Sequence, residues 1–140
     1  MTSTRVPLIA YAVNATLLLC HEIDSAHWEE WTLFQLPGGS EGFVAVHIVL
    51  IGVVLWGLIL VDRGHAWWRW FSLLLGLAGV TGGCLHFYFL LAGDARFSSS
   101  FSMGLIAAFL VTSLAQIAVT LLWWKARAKK GSELLSPSIK

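Results

Sequence analysis

The sequence predicts an all-α integral membrane protein, a four-helix bundle running up-down-up-down with both termini inside. Three observations carry this. Of the 140 residues, 57% are hydrophobic and 12% charged, against roughly a quarter charged in soluble domains. Mean hydropathy is +0.75. Four apolar runs each reach about 20 residues, enough at about 1.5 Å per residue to cross a ~30 Å hydrocarbon layer. A formal net charge of +1 predicts no nucleic-acid partner, because phosphate binding needs a basic face. Four helices and their turns fill residues 1–130, so a single domain is expected, without a soluble catalytic module.

The first helix is expected over about Val6 to Phe34: an apolar run to Cys20, then a polar second half. Arg5 before that run resembles the start of a secretory signal. No small-residue cleavage site follows and Leu19 is too large for a lipoprotein site, so the segment is expected to be retained. Leu36-Pro37-Gly38-Gly39-Ser40 is a breaker cluster and predicts a turn. The second helix, about Glu41 to Val61, is apolar apart from His47. Asp62-Arg63-Gly64-His65 reads as a tight polar connection in which His65 has no specific role. The third helix covers about Ala66 to Ala92, the fourth about Ser98 to Lys129, with Gly93-Asp94-Ala95-Arg96 between them. Gly131 to Lys140 is expected to be a flexible cytoplasmic tail.

Orientation follows from the cations. Arg5, Arg63, Arg69, Lys125, Arg127, Lys129 and Lys130 fall on one side of this topology. Arg96 stands on the other, among Glu22, Asp24, Glu29, Glu30, Glu41 and Asp94. The basic side is therefore expected to be cytoplasmic. Trp67, Trp68, Trp70, Trp123 and Trp124 cluster there as an interfacial belt, with Trp28 and Trp31 opposite. Gly76, Gly79 and Gly83 share one helical face, which predicts close packing against a neighbour. Cys20 and Cys84 show no CxxC spacing and read as buried small apolar residues; a disulfide or metal thiolate is the alternative.

The most concentrated polar stretch is His21-Glu22-Ile23-Asp24-Ser25-Ala26-His27-Trp28-Glu29-Glu30-Trp31, which holds four of the chain's eight carboxylates. Ionisable groups at a bilayer boundary are costly and by default mark a functional site. His21 and His86 lie seventeen and eighteen residues past the basic boundary, and His47 fourteen before it. At about 1.5 Å per residue all three arrive at similar height near the acidic side. His21, Asp24, Ser25 and Trp28 share a face of the first helix. With His47 and His86, His21 and Asp24 would form a three-histidine, one-carboxylate set suited to zinc, iron or manganese. Glu22 would then be the general base for a metal-bound water. The competing reading is a hydrogen-bonded network that locks helix register, with Glu29, Glu30 and His27 solvated in the headgroup zone. Haem between His47 and His86 is a further one, disfavoured by the nearby acids.

A deeper polar layer is expected at the midplane, where Asn14 and Gln116 would bond helices one and four together. Ser102, Phe109, Ser113, Gln116 and Thr120 lie along one stripe of the fourth helix.

His21-Glu22-Ile23-Asp24, followed by Trp28, Glu30-Trp31, Phe34 and Pro37-Gly38-Gly39, resembles the opening of a family of small, uncharacterised bacterial four-helix membrane proteins. It is also loosely similar to the HXXEE-domain membrane proteins, although Asp24-Ser25 stand where that motif has two glutamates. The resemblance implies a multi-pass protein of the bacterial inner membrane and draws attention to His21 and Asp24. It implies no substrate. The functional expectation is a metal-binding membrane protein, a small hydrolase or oxidoreductase acting on an amphiphilic molecule from the bilayer. The alternative is a non-enzymatic subunit or ligand-binding protein, with a homo-oligomer or membrane complex as partner.

Overall fold

The computed structural model describes residues 5–135, and every regular element among them is a helix. These are α1 (Arg5–His27), α2 (Glu30–Leu33), α3 (Gly39–Asp62), α4 (Trp68–Leu91) and α5 (Ser100–Leu135). Four are long and apolar enough to cross a membrane: Arg5–His27, Gly39–Asp62, Trp68–Leu91 and Ser100–Lys130. That is the pattern of a multi-pass membrane protein.

Two expectations about the elements change. The first helix does not run on to Phe34. It ends at His27, because Glu29 adopts a left-handed backbone with φ 52°, and a four-residue helix follows at a new angle. A non-glycine residue in that region costs on the order of 1–2 kcal/mol, so contacts of the redirected segment must offset it. At the other end α5 continues as helix through Leu135, into the stretch expected to be a tail. Residues 136–140 lie outside the described residues.

The long helices form an antiparallel ring in which α1 touches α3 and α5, and α4 touches the same two; α1 and α4 meet across the short diagonal. Polar groups line the inside. Asn14, Ser25, Ser72, Ser113, Gln116 and Thr120 are buried, while Ile9, Ile48, Val49, Trp56 and Leu122 are exposed. This inversion of the soluble pattern fits a lipid surround, where interhelical contact comes from close packing and hydrogen bonds.

The glycine face of α4 makes the closest approach. A Cβ on Gly79 would collide with the Ser113 hydroxyl and the Phe109 ring of α5. One on Gly76 would press on Ile117, and one on Gly83 on Leu110. Tyr11 plays the same part between α1 and α3: its hydroxyl donates to the Val54 carbonyl at 2.9 Å over Gly57.

The midplane layer forms, with other partners than expected. Asn14 Oδ1 accepts from Thr112 Oγ1 at 2.8 Å and Ser113 Oγ at 3.1 Å. Gln116 Nε2 donates across to the Ser72 carbonyl on α4 at 2.8 Å, and Ser72 pairs with Thr120 at 2.8 Å. Asn14 meets α5 a turn before Gln116, and Gln116 faces α4, so no Asn14–Gln116 bond exists. Cys20 and Cys84 are free thiols, both exposed on the outer surface of the bundle rather than buried.

Candidate functional site

The acidic end of the bundle holds two histidine–carboxylate groups. In the first, His21 of α1 and His86 of α4 meet edge-on with Nε2 to Nε2 at 2.9 Å. Both are nearly fully buried. Glu30 Oε1 stands 3.4 Å from the same His86 nitrogen. Phe97 and Phe109 close over the rings, Phe97 at 4.3 Å from His86 and Phe109 stacked on His21 at 5.9 Å.

Glu30 belongs to this site and not to the solvated zone. It is 7% exposed. Nine residues at about 100° each would put Glu30 on the side of a continuous helix opposite His21. The break at Glu29 removes that constraint and returns the chain toward the rings. Trp28 fixes the turn by donating its indole N–H to Ser102 Oγ on α5 at 3.1 Å. Thr32 bonds back to the Glu29 carbonyl at 2.8 Å and accepts from Arg96 Nη1 at 2.6 Å. Arg96 also grips Asp94, with Nη2 to Oδ2 at 2.6 Å. The α4–α5 connection thus holds α2 over the site. Burial by itself would raise the Glu30 carboxyl, but the neighbouring His86 outweighs it and holds the carboxyl below its usual range.

The second group joins Glu22 of α1 to His47 of α3, Oε2 to Nε2 at 2.6 Å. His47 Nδ1 lies 2.7 Å from the Phe43 carbonyl. A carbonyl can only accept, so Nδ1 carries a proton there and a neutral ring would present a bare Nε2 to Glu22. The pair therefore holds one additional proton between the two side chains. It lines a groove of about 290 Å³ between α1 and α3 whose other walls are apolar, among them Leu19, Ile23, Phe43 and Ile51.

Of the residues expected to share one centre, His21 and His86 are in contact. His47 is engaged with Glu22 instead. Asp24 has a buried oxygen with no hydrogen-bond partner. Ser25 Oγ and the Nδ1 atoms of His21 and His86 are likewise buried and unpaired. Among the described residues, no group of three or more His, Cys, Asp or Glu side chains stands as a ready metal site. Residue counting found the level of the three imidazoles. It could not find Glu30, because nothing in Trp28-Glu29-Glu30 resembles a glycine or proline stop.

No curated protein matches the chain, and no solved structure does either. A family model matches residues 8–122, and with it every residue of both histidine–carboxylate groups: the chain belongs to a family of unknown function, DUF6713.

Proposed function

We propose that the protein is a metal-binding protein of the bacterial inner membrane, with both termini cytoplasmic and the histidine layer toward the opposite side. A zinc, iron or manganese ion is held by His21 and His86 through Nε2, with Glu30 completing the set in preference to Asp24 and His47. The observation that carries this reading is the pair of Nε2 atoms facing each other beside a carboxylate. Tetrahedral bonds of about 2.0–2.1 Å place two nitrogens roughly 3.3–3.4 Å apart. The rings need to separate from 2.9 Å by only a few tenths of an ångström. With such an ion bound, Glu22, paired with His47, would be the carboxylate to take a proton from a water the ion activates. The apolar groove beside it suits an amphiphile entering from the bilayer, which makes hydrolysis of such a molecule the reaction that fits best.

The test is elemental analysis of the purified protein together with its melting temperature in zinc, iron(II), manganese or chelator. The expected result is about one metal ion per chain, lost in His86→Ala. Protein without bound metal, with a melting temperature indifferent to all three ions, overturns the reading. An absorbance scan of the same sample tests for haem through its Soret band.

One observation favours a second reading, a hydrogen-bonded layer that only sets helix register. Metal-bound histidines usually donate their other ring N–H to a partner, whereas neither Nδ1 here has one. On that reading His86→Ala still destabilises the bundle, but chelator has no effect on the unmutated protein.

A further inference from the structure

The basic end carries a feature unrelated to the histidine layer. Arg69, one residue into α4, lies over the Trp124 ring of α5 with its guanidinium carbon 4.9 Å from the ring centroid. It lies over its own neighbour Trp70 at 5.2 Å. Arg127 of α5 reciprocates over Trp68 of α4 at 5.7 Å. Two like charges are therefore cross-braced on each other's tryptophans at one level of the α4–α5 seam. The ion pairs among the described residues are His47–Glu22, His86–Glu30, Arg96–Asp94 and Lys129–Glu133; neither Arg69 nor Arg127 takes part. Both are half-buried, and each has its Nε buried without an acceptor.

We propose that Arg69 and Arg127 form a binding site for the phosphate of an anionic membrane phospholipid. Two guanidiniums on one helix seam, neither paired with a carboxylate, leave positive charge that a bound anion would neutralise. The planar guanidinium fork matches phosphate oxygens in two-point contacts. Aromatic faces hold both forks in place, which reduces the ordering cost on binding. The membrane supplies the occupant because of where the pair sits. Trp67 and Trp70, 62% and 57% exposed, flank it as headgroup-level residues do, and the bundle surface beyond them is apolar. Basic pockets between spanning helices at this level take lipid phosphates. Lys125 and Lys130, both exposed, add attraction without geometry.

The experiment titrates detergent-purified, full-length protein with phosphatidylglycerol, phosphatidylcholine or inorganic phosphate and reads binding by native mass spectrometry. The expected result is one phosphatidylglycerol per chain, bound at least tenfold more tightly than phosphatidylcholine. Arg69→Gln/Arg127→Gln loses at least tenfold, while Lys125→Gln/Lys130→Gln, which removes the same net charge, stays within about twofold. Equal binding of the two lipids overturns the proposal, as does an equal loss in the lysine variant. Inorganic phosphate that binds as tightly as the lipid and displaces it overturns the choice of occupant. Should the arginine variant fail to fold, the lipid comparison on unmutated protein and the lysine control still decide. Neither arginine belongs to the histidine layer, so failure here leaves the metal reading untouched.

Discussion

The two ends of the bundle solve the burial of charge in opposite ways. At the acidic end the three imidazoles of the layer meet a carboxylate or one another: His47 with Glu22, His86 with Glu30 and His21. At the basic end Arg69 and Arg127 rest on tryptophan faces and meet no carboxylate. Internal pairing makes a layer whose members depend on one another, since removing one partner leaves the other buried and unsatisfied. Aromatic support leaves the charge available to something outside the chain. The difference teaches that charge can be held at a bundle end either by partners within the chain or by aromatic faces that leave it unneutralised.

The largest effect should come from breaking the acidic layer at its centre. His86→Ala removes the one side chain that touches both His21 and Glu30 and should cost about 2–4 kcal/mol. Arg69→Gln, the matching change at the basic end, should cost no more than about 1 kcal/mol, the scale of a partly exposed cation–π contact. Denaturant or thermal unfolding in one detergent compares the two. Equal costs would remove the distinction between the ends.

Next comes the seam that joins them. Gly79→Ala places a methyl against Ser113 Oγ and the Phe109 ring. Ser113 also donates to Asn14, so displacing it disturbs the midplane as well. Overpacking of this kind costs about 1–3 kcal/mol. Gly82, three residues on, has its nearest neighbour at 4.0 Å; Gly82→Ala should be neutral or stabilising by up to about 1 kcal/mol. Thermal unfolding of the two variants side by side separates close packing from helix propensity.

Much of this contrast can be read in the sequence, because hydropathy and charge act over whole segments. Four apolar runs with cations at alternate connections give the helices, and residue counting gives the level of His21, His47 and His86. Partners within a level are harder, since they depend on rotation about each helix axis, and 100° per residue makes one position decisive. Asn14 and Gln116 share a depth, yet Asn14 faces Thr112 and Ser113 while Gln116 faces Ser72. The turn at Glu29 is hardest. Its left-handed backbone is sustained by tertiary contacts of Trp28, Glu30 and Thr32, not by a local signal.

A double-mutant cycle on Glu22→Gln and His47→Gln tests mutual dependence directly. At 2.6 Å and half-buried, the pair should show a coupling of about 1–3 kcal/mol. Additive losses, measured by unfolding of both single variants and the double, would mean that the contact stabilises nothing.

The smallest effect is expected outside the spans, where Arg96 joins Asp94 to Thr32. Hydrogen bonds from Arg96 hold the Asp94 carboxyl below its usual range. A carboxyl lowered in the folded state stabilises the fold above its unfolded pKa of about 4. That contribution disappears as pH falls through the lower folded value. Arg96→Gln should therefore unfold slightly more easily at neutral pH and lose less stability than the unmutated protein as pH falls below about 4. Unfolding curves at a series of pH values check the slope, and the part of the near-ultraviolet circular dichroism that Trp28→Phe/Trp31→Phe removes reports whether α2 has loosened. A change in slope with an unaltered tryptophan signal would confine Arg96 to its own connection. A change in both would make this half-buried ion pair the external brace of the buried histidine layer, a point where the acidic end depends on a charge that solvent can screen.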